Sequence, residues 1–193
     1  MAKKDKEISN PFSTGGGGAH FEAHIQACFV VLMLSRGHVP NMPCWPIKEI
    51  AFQGKRLGYE TDDLVLFIED LETNKSRKLL GQVKHSIAIT KGDSTFGEVI
   101  QAAWTDFNNS SIFDKRKDII ALITSHISAT DHKNVQFILR QAKYAKDSLE
   151  FFTNVNMAKF SPSQATNKLD VFKLLIPAVN SVQLNLGDFS YAA

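Results

Sequence analysis

Two carboxylates in tandem, Asp62-Asp63, open a continuous apolar run, Leu64 to Ile68. A polar turn, Glu72 to Ser76, leads to a second run, Leu79 to His85, that contains Gln82-Val83-Lys84. A continuous apolar run of this length suits a strand covered on both faces. In a strand, residues i and i+2 share a face, so Gln82 and Lys84 project together and Val83 points away. An acid at the start of one strand, facing an amide and a lysine on its neighbour, is a layout for a magnesium site that cuts phosphodiesters. Adjacent strand residues face opposite sides, so only one of Asp62 and Asp63 shares the face of Lys84. The sequence leaves both open.

The triplet of acid or amide, any residue, lysine is common and selects nothing by itself. It also occurs as Gln53-Gly54-Lys55, Asp131-His132-Lys133 and Gln141-Ala142-Lys143. The last two fall on an expected helix, where i and i+2 lie roughly 200° apart and cannot share a site. The first has glycine at its centre and no acid-led strand before it. Only Gln82-Val83-Lys84 combines an apolar strand with an acid-led strand just upstream.

The elements that must hold these residues follow from periodicity. Residues 1–18 form an expected disordered lead, with Lys3, Lys4, Lys6 and the Gly15–Gly18 run. No Gly-Lys-Ser/Thr follows the glycines, so a phosphate loop is excluded. Ala19 to Arg36 reads as a helix ended by Gly37, with an inward stripe of Phe21, Ile25, Cys28, Phe29 and Leu32. Glu22 and Gln26 lie one turn apart beside that stripe. His20 and His24 also share a face, but a zinc-protease HExxH pattern is absent and solvated histidines are expected. A short strand is expected at Ile50–Phe52, a helix from Ser94 or Thr95 to Asn108, and a buried strand at Ile119–Thr124. Further helices are expected from Thr130 or Asp131 to Lys146, at Ser148–Phe160 and at Ser163–Ile176, with a strand or coil at Val182–Phe189.

That order describes an α/β domain: a small mixed central sheet flanked by helices, occupying 19–193. A chain of 193 residues with 44% apolar and 22% charged residues supports one well-cored domain. The net charge of +2 creates no strong field and neither implies nor excludes nucleic acid. Cys28 and Cys44 read as thiols of a reducing compartment. The longest apolar run, Ala27–Leu34, is too short to span a bilayer, and a cytoplasmic location with no membrane partner is expected.

Taken together, these segments resemble the PD-(D/E)XK, restriction-endonuclease-like nucleases. The closer likeness is to the N-terminal double-stranded DNA endonuclease domain of bacterial antiphage effectors, of the CBASS-associated and STAND NTPase (Avs) types. The matching features are the glycine lead with Phe21-Glu22, Asp63 before Leu64-Val65-Leu66, Gln82-Val83-Lys84-His85, the helix with Trp104, and Ala121 to Ser125. They cover roughly residues 15–160.

The resemblance implies a restriction-endonuclease-like fold and a Mg²⁺-dependent endonuclease of little sequence preference, with Mn²⁺ as a substitute. It implies a metal set of Asp63, Glu22, Gln82 and the Val83 carbonyl, catalysis through Asp63, Gln82, Lys84 and Glu22, and products carrying a 5′-phosphate. Where many relatives have glutamate this chain has Gln82, so one anionic ligand is missing, and Glu22 is the residue expected to restore the charge. Lys115, Arg116, Lys117, Arg140 and Lys143 are the candidate DNA-phosphate contacts. The parents of such domains are longer, so the chain is expected to be the N-terminal part of a multidomain protein that self-associates through sensor or NTPase domains. The runner-up is a nuclease-like domain that binds DNA or oligomerises without cutting.

Overall fold

The computed structural model describes residues 16–157 and 161–175. Most of the expected lead and the expected strand or coil at 182–189 lie outside the described residues. The elements are α1 (Gly16–Leu34), β1 (Ile47–Ala51), a short 3₁₀ turn (Gly54–Leu57), β2 (Leu64–Glu69), β3 (Ser76–Ser86), α2 (Ser94–Asn108), β4 (Ile119–His126), α3 (Ala129–Tyr144), α4 (Ser148–Asn156) and α5 (Ala165–Leu175). The fold is mixed α/β, as expected: one four-stranded sheet in the order β1-β2-β3-β4, with helices around it. β1, β2 and β3 pair antiparallel, and β3 pairs parallel with β4 through the α2 crossover.

Strand alternation sorts the core. Leu64, Leu66, Ile68 and Leu79 face α1 and bury Phe29, with Ile25 and Leu32 packed beside it. Val65 and Leu80 face the other way, onto Tyr59 and Phe113. On that second side Phe96, Val99 and Val171 join α2 to α5, and Ile138, Phe151 and Leu169 join α3, α4 and α5. The edge strand β1 carries Lys48 and Glu49 outward and a register shift between Ile47 and Glu49, which discourages pairing with another chain.

Several boundaries differ from expectation for local reasons. Gly16–Gly18, expected in the lead, form the first turn of α1, since glycine weakens a helix without forbidding it. Arg36, not Gly37, takes the left-handed conformation after α1 (φ 55). Gly37 N–H then bonds Leu32 O at 2.7 Å and Arg36 N–H bonds Met33 O at 3.3 Å, a Schellman closure. Cys28, expected inward, is exposed. α1 is apolar on both sides, with Val31 and Leu34 outward, so its stripe was not a unique solution. Among the described residues it is the one helix long and apolar enough to cross a membrane, yet Ile25, Phe29 and Leu32 pack it on the sheet.

Caps sit one to three residues upstream of the expected ones. Ser128 accepts from Asp131 N–H to start α3, and the freed Asp131 pairs with Lys168 of α5. Lys168 Nζ also donates to Ile89 O at 2.6 Å, tying α5 to the loop that follows β3. Asp93 caps α2, accepting from Phe96 N–H at 3.0 Å and from Ala88 N–H at 2.6 Å. These two bonds, Ala88 first, hold the Asp93 carboxyl below the usual carboxylate range. A depressed folded pKa makes the contribution present above the ordinary carboxylate range and lost as pH falls through the folded value. Asp93→Ala is therefore expected to cost about 1 kcal/mol in urea unfolding at neutral pH, with the difference shrinking in acid.

Candidate active site

β2 begins at Leu64 opposite Gly81 of β3, so β3 runs on past its neighbour and leaves Gln82–Ser86 beyond the end of β2. Asp63, one residue before β2, fills that gap. Its Oδ2 accepts from Gln82 Nε2, from Val83 N–H at 2.6 Å and from Lys84 Nζ at 3.5 Å. A side-chain amide, a backbone amide and an ammonium thus converge on one carboxylate oxygen. Charge-assisted bonds of this kind are stronger than neutral ones and fix the carboxylate in place. Lys84 stays partly open to solvent, its side chain 31% exposed against 12% for Asp63.

The choice between the tandem acids is made by the backbone. Asp62 turns away from Lys84 and accepts from Lys55 N–H at 2.8 Å, and its carbonyl accepts from Gly54 N–H at 2.6 Å. Its own N–H donates to Gln82 Oε1 at 3.3 Å. Gln82 therefore presents nitrogen, not oxygen, to Asp63. In this arrangement it is a clamp between the two acids, which differs from the oxygen-ligand role the resemblance implied.

Glu22 reaches the same place from α1. Gln26, one turn on, donates to Glu22 Oε1 at 2.9 Å and to Asp63 O at 3.1 Å, and so fastens the helix to the start of β2. Burial, with a further push from the Asp63 charge, raises the Glu22 carboxyl above its usual range, and Lys84 pulls the other way. A raised folded pKa means the charged form is disfavoured by folding: stability falls as pH rises from the ordinary carboxylate range through the folded value. Glu22→Gln is thus expected to raise neutral-pH stability without divalent ions, by less than about 1 kcal/mol since the group is only partly buried and solvent screens it. Thermal unfolding with and without Mg²⁺ checks this. The wild type is expected to gain more from the ion, and a variant less stable than wild type without Mg²⁺ would contradict it.

Oxygen donors of the kind a hard divalent cation takes are available here. The Glu22 and Asp63 carboxylates repel each other with Lys84 as the neighbouring cation, and the three hydrogen bonds that Asp63 accepts, from Gln82, Val83 and Lys84, all fall on Oδ2. A strand residue's N–H and C=O share one edge, so the Val83 carbonyl lies on the side of Asp63. Magnesium commonly binds through one or two carboxylates, keeping waters and substrate phosphates as its other ligands. Among the described residues no group of three or more His, Cys, Asp or Glu gathers at one point, so the set is carboxylate-poor.

Other expected site residues stand elsewhere. Lys115, Arg116 and Lys117 occupy the turn before β4, which enters the sheet opposite Leu79. That is four to five residues down β3 from Val83 and Lys84, about 13–17 Å. Lys115 is engaged there with Asn108 Oδ1 at 3.1 Å and over the Phe107 ring at 4.2 Å. Arg140 and Lys143 are exposed on the last turns of α3, about 16 Å or more of helix from its start.

One supporting residue was missed. Asp106 of α2 is buried and accepts from Glu60 N–H at 2.8 Å and Thr61 N–H at 2.7 Å, so it holds the chain that leads into Asp62-Asp63. Its signal was present: Val99, Ala103 and Asp106 continue one helical stripe, and an acid within an apolar stripe marks a buried carboxylate with partners. Comparison with protein-family models, with curated proteins and with solved structures finds no match.

Proposed function

We propose that the chain is a Mg²⁺-dependent endonuclease domain of the restriction-endonuclease-like class, cutting double-stranded DNA with little sequence preference. The observation that carries this is the convergence of Gln82, Val83 and Lys84 on Asp63, with Glu22 linked to it through Gln26. Asp63, Glu22 and the Val83 carbonyl are the atoms for the cation, and Mn²⁺ is expected to substitute. Bound there, the ion would polarise a phosphoryl oxygen and acidify a water. Lys84, partly exposed and beside Asp63, holds the attacking water and stabilises charge growing on the phosphate. Gln82 keeps Asp63 oriented. The water oxygen bonds to phosphorus and the P–O3′ bond breaks. The products are a 5′-phosphate and a 3′-hydroxyl, the proton lost by water being balanced at O3′ through solvent.

By the resemblance set out above, this unit acts as the effector of a cytoplasmic bacterial antiphage protein whose sensor or NTPase domains bring copies together. The test is plasmid DNA incubated with the protein. Nicking and linearisation with Mg²⁺ or Mn²⁺, abolished by chelator, is the expected result; intact plasmid, or cutting indifferent to chelator, would overturn it. Gln82 favours a second reading, a nuclease-like domain that binds DNA without cutting, because a neutral amide stands where a carboxylate would add charge. Titration calorimetry separates the two, since that reading requires no Mg²⁺ binding.

A further inference from the structure

β1 ends at Ala51 opposite Val65, yet residues 52–61 intervene before Asp62, where a tight hairpin would need only about two. That excess is firmly built. Gly54 N–H bonds Asp62 O, Lys55 N–H bonds the Asp62 carboxylate, Tyr59 N–H bonds Gly54 O at 3.1 Å, and Asp106 takes Glu60 and Thr61. A Cβ on Gly54 would stand 2.9 Å from Thr61 O, so the backbone approaches as only glycine permits. Gln53 (φ 58) and Gly58 (φ 88) bracket the 3₁₀ turn in left-handed conformations. Tyr59 anchors the loop beneath, against Val65, Leu80 and Phe113.

All of this order displays a cationic tip. Lys55 and Arg56 are exposed, Leu57 is 53% exposed, and Lys55 Nζ reaches only 4.0 Å from Asp62, with its side chain 64% in solvent. Ordering so many residues costs conformational entropy that the fold's core does not require of an exposed turn. The position explains it: Asp62 holds the tip with its carboxylate and carbonyl while its neighbour Asp63 carries the site. A polyanion approaching Glu22 and Asp63 meets two negative charges, which nearby cations must offset.

We infer that the Lys55–Arg56 turn is a phosphate clamp that seats duplex DNA beside the Asp63–Lys84 site. This rests on the nuclease reading. The fit is to the backbone, without base readout, since two cations on a rigid turn position a duplex but carry no sequence code.

The test is fluorescence anisotropy of the full chain with a short labelled DNA duplex in chelator, over a salt series, beside plasmid cleavage in Mg²⁺. Lys55→Gln/Arg56→Gln is expected to weaken binding about tenfold and to lower the slope of log K against log salt by about 1.8, near 0.9 per phosphate. At sub-saturating DNA the cutting rate is expected to fall in step with the affinity. Arg140→Gln/Lys143→Gln is expected to change the slope less. Both loop side chains are exposed, so thermal midpoints should match wild type. A wild type that binds and cuts while the loop variant keeps the same slope and affinity would overturn the clamp and leave the nuclease reading standing. A wild type with no salt-dependent duplex binding overturns the clamp as well, and the separate chelator-controlled cleavage then judges the active site.

Discussion

Lys84→Ala is expected to lower the rate of metal-dependent plasmid cleavage by about a thousandfold, within the range for a group that handles a proton or stabilises transition-state charge. Duplex affinity should change far less, since one of several cations near the DNA is removed. The two readouts separate catalysis from binding. Lys84 lies 3.5 Å from Asp63 Oδ2 on a partly exposed strand end. Its removal therefore takes away one of three donors to that oxygen, and Gln82 and Val83 N–H remain to hold the carboxylate. The fold should survive, with a stability change of about 1 kcal/mol or less. Cleavage retained in Lys84→Ala would remove the residue from the mechanism.

Asp106→Ala is expected to cost about 3 kcal/mol in chemical unfolding and to suppress cleavage without touching the site. The buried carboxylate accepts from Glu60 N–H and Thr61 N–H, and its loss strands two backbone donors away from water. Those donors belong to the segment that delivers Asp62 and Asp63. The expected kinetic signature is a fall in kcat larger than the change in KM, because the carboxylate is misplaced and not the DNA surface. A fully active Asp106→Ala protein would show that the 58–61 segment positions itself without α2.

Much of the site was legible because strand chemistry has a fixed period. Once Leu64–Ile68 and Leu79–His85 are taken as strands, Gln82 and Lys84 must share a face, and they do. The order of the tandem acids was not legible, since it depends on where β2 begins and on what captures the spare carboxylate. Lys55 N–H, eight positions before Asp63 in sequence, captures Asp62. Glu22 could be named only through a resemblance, because nothing local says that α1 packs beside the end of β2. Ile25, Phe29 and Leu32 dock the helix on the sheet, and Gln26, bonded to both Glu22 and Asp63 O, ties its Glu22 turn to the start of β2.

The misses have similar physical causes. Asp93 and Ser128 took the capping roles expected of Ser94 or Thr95 and of Thr130 or Asp131, as each cap accepts from an N–H three residues on and neighbouring polar residues compete for the place. Cys28 fell off the buried stripe because α1 is apolar nearly all round and periodicity alone cannot choose its face. The Phe52–Thr61 loop, with Gly54 and Gly58, carries no periodic pattern that announces its order. Its order comes from Asp62 and Asp106, contacts that only the folded chain brings together.

Crystals grown with Mn²⁺ and measured at the manganese absorption edge test the central claim most directly. The expected result is an anomalous peak in contact with carboxylate oxygens of both Asp63 and Glu22, lost in Asp63→Ala. A peak that avoids both carboxylates, or full Mn²⁺ loading with no density between α1 and the end of β2, would contradict it.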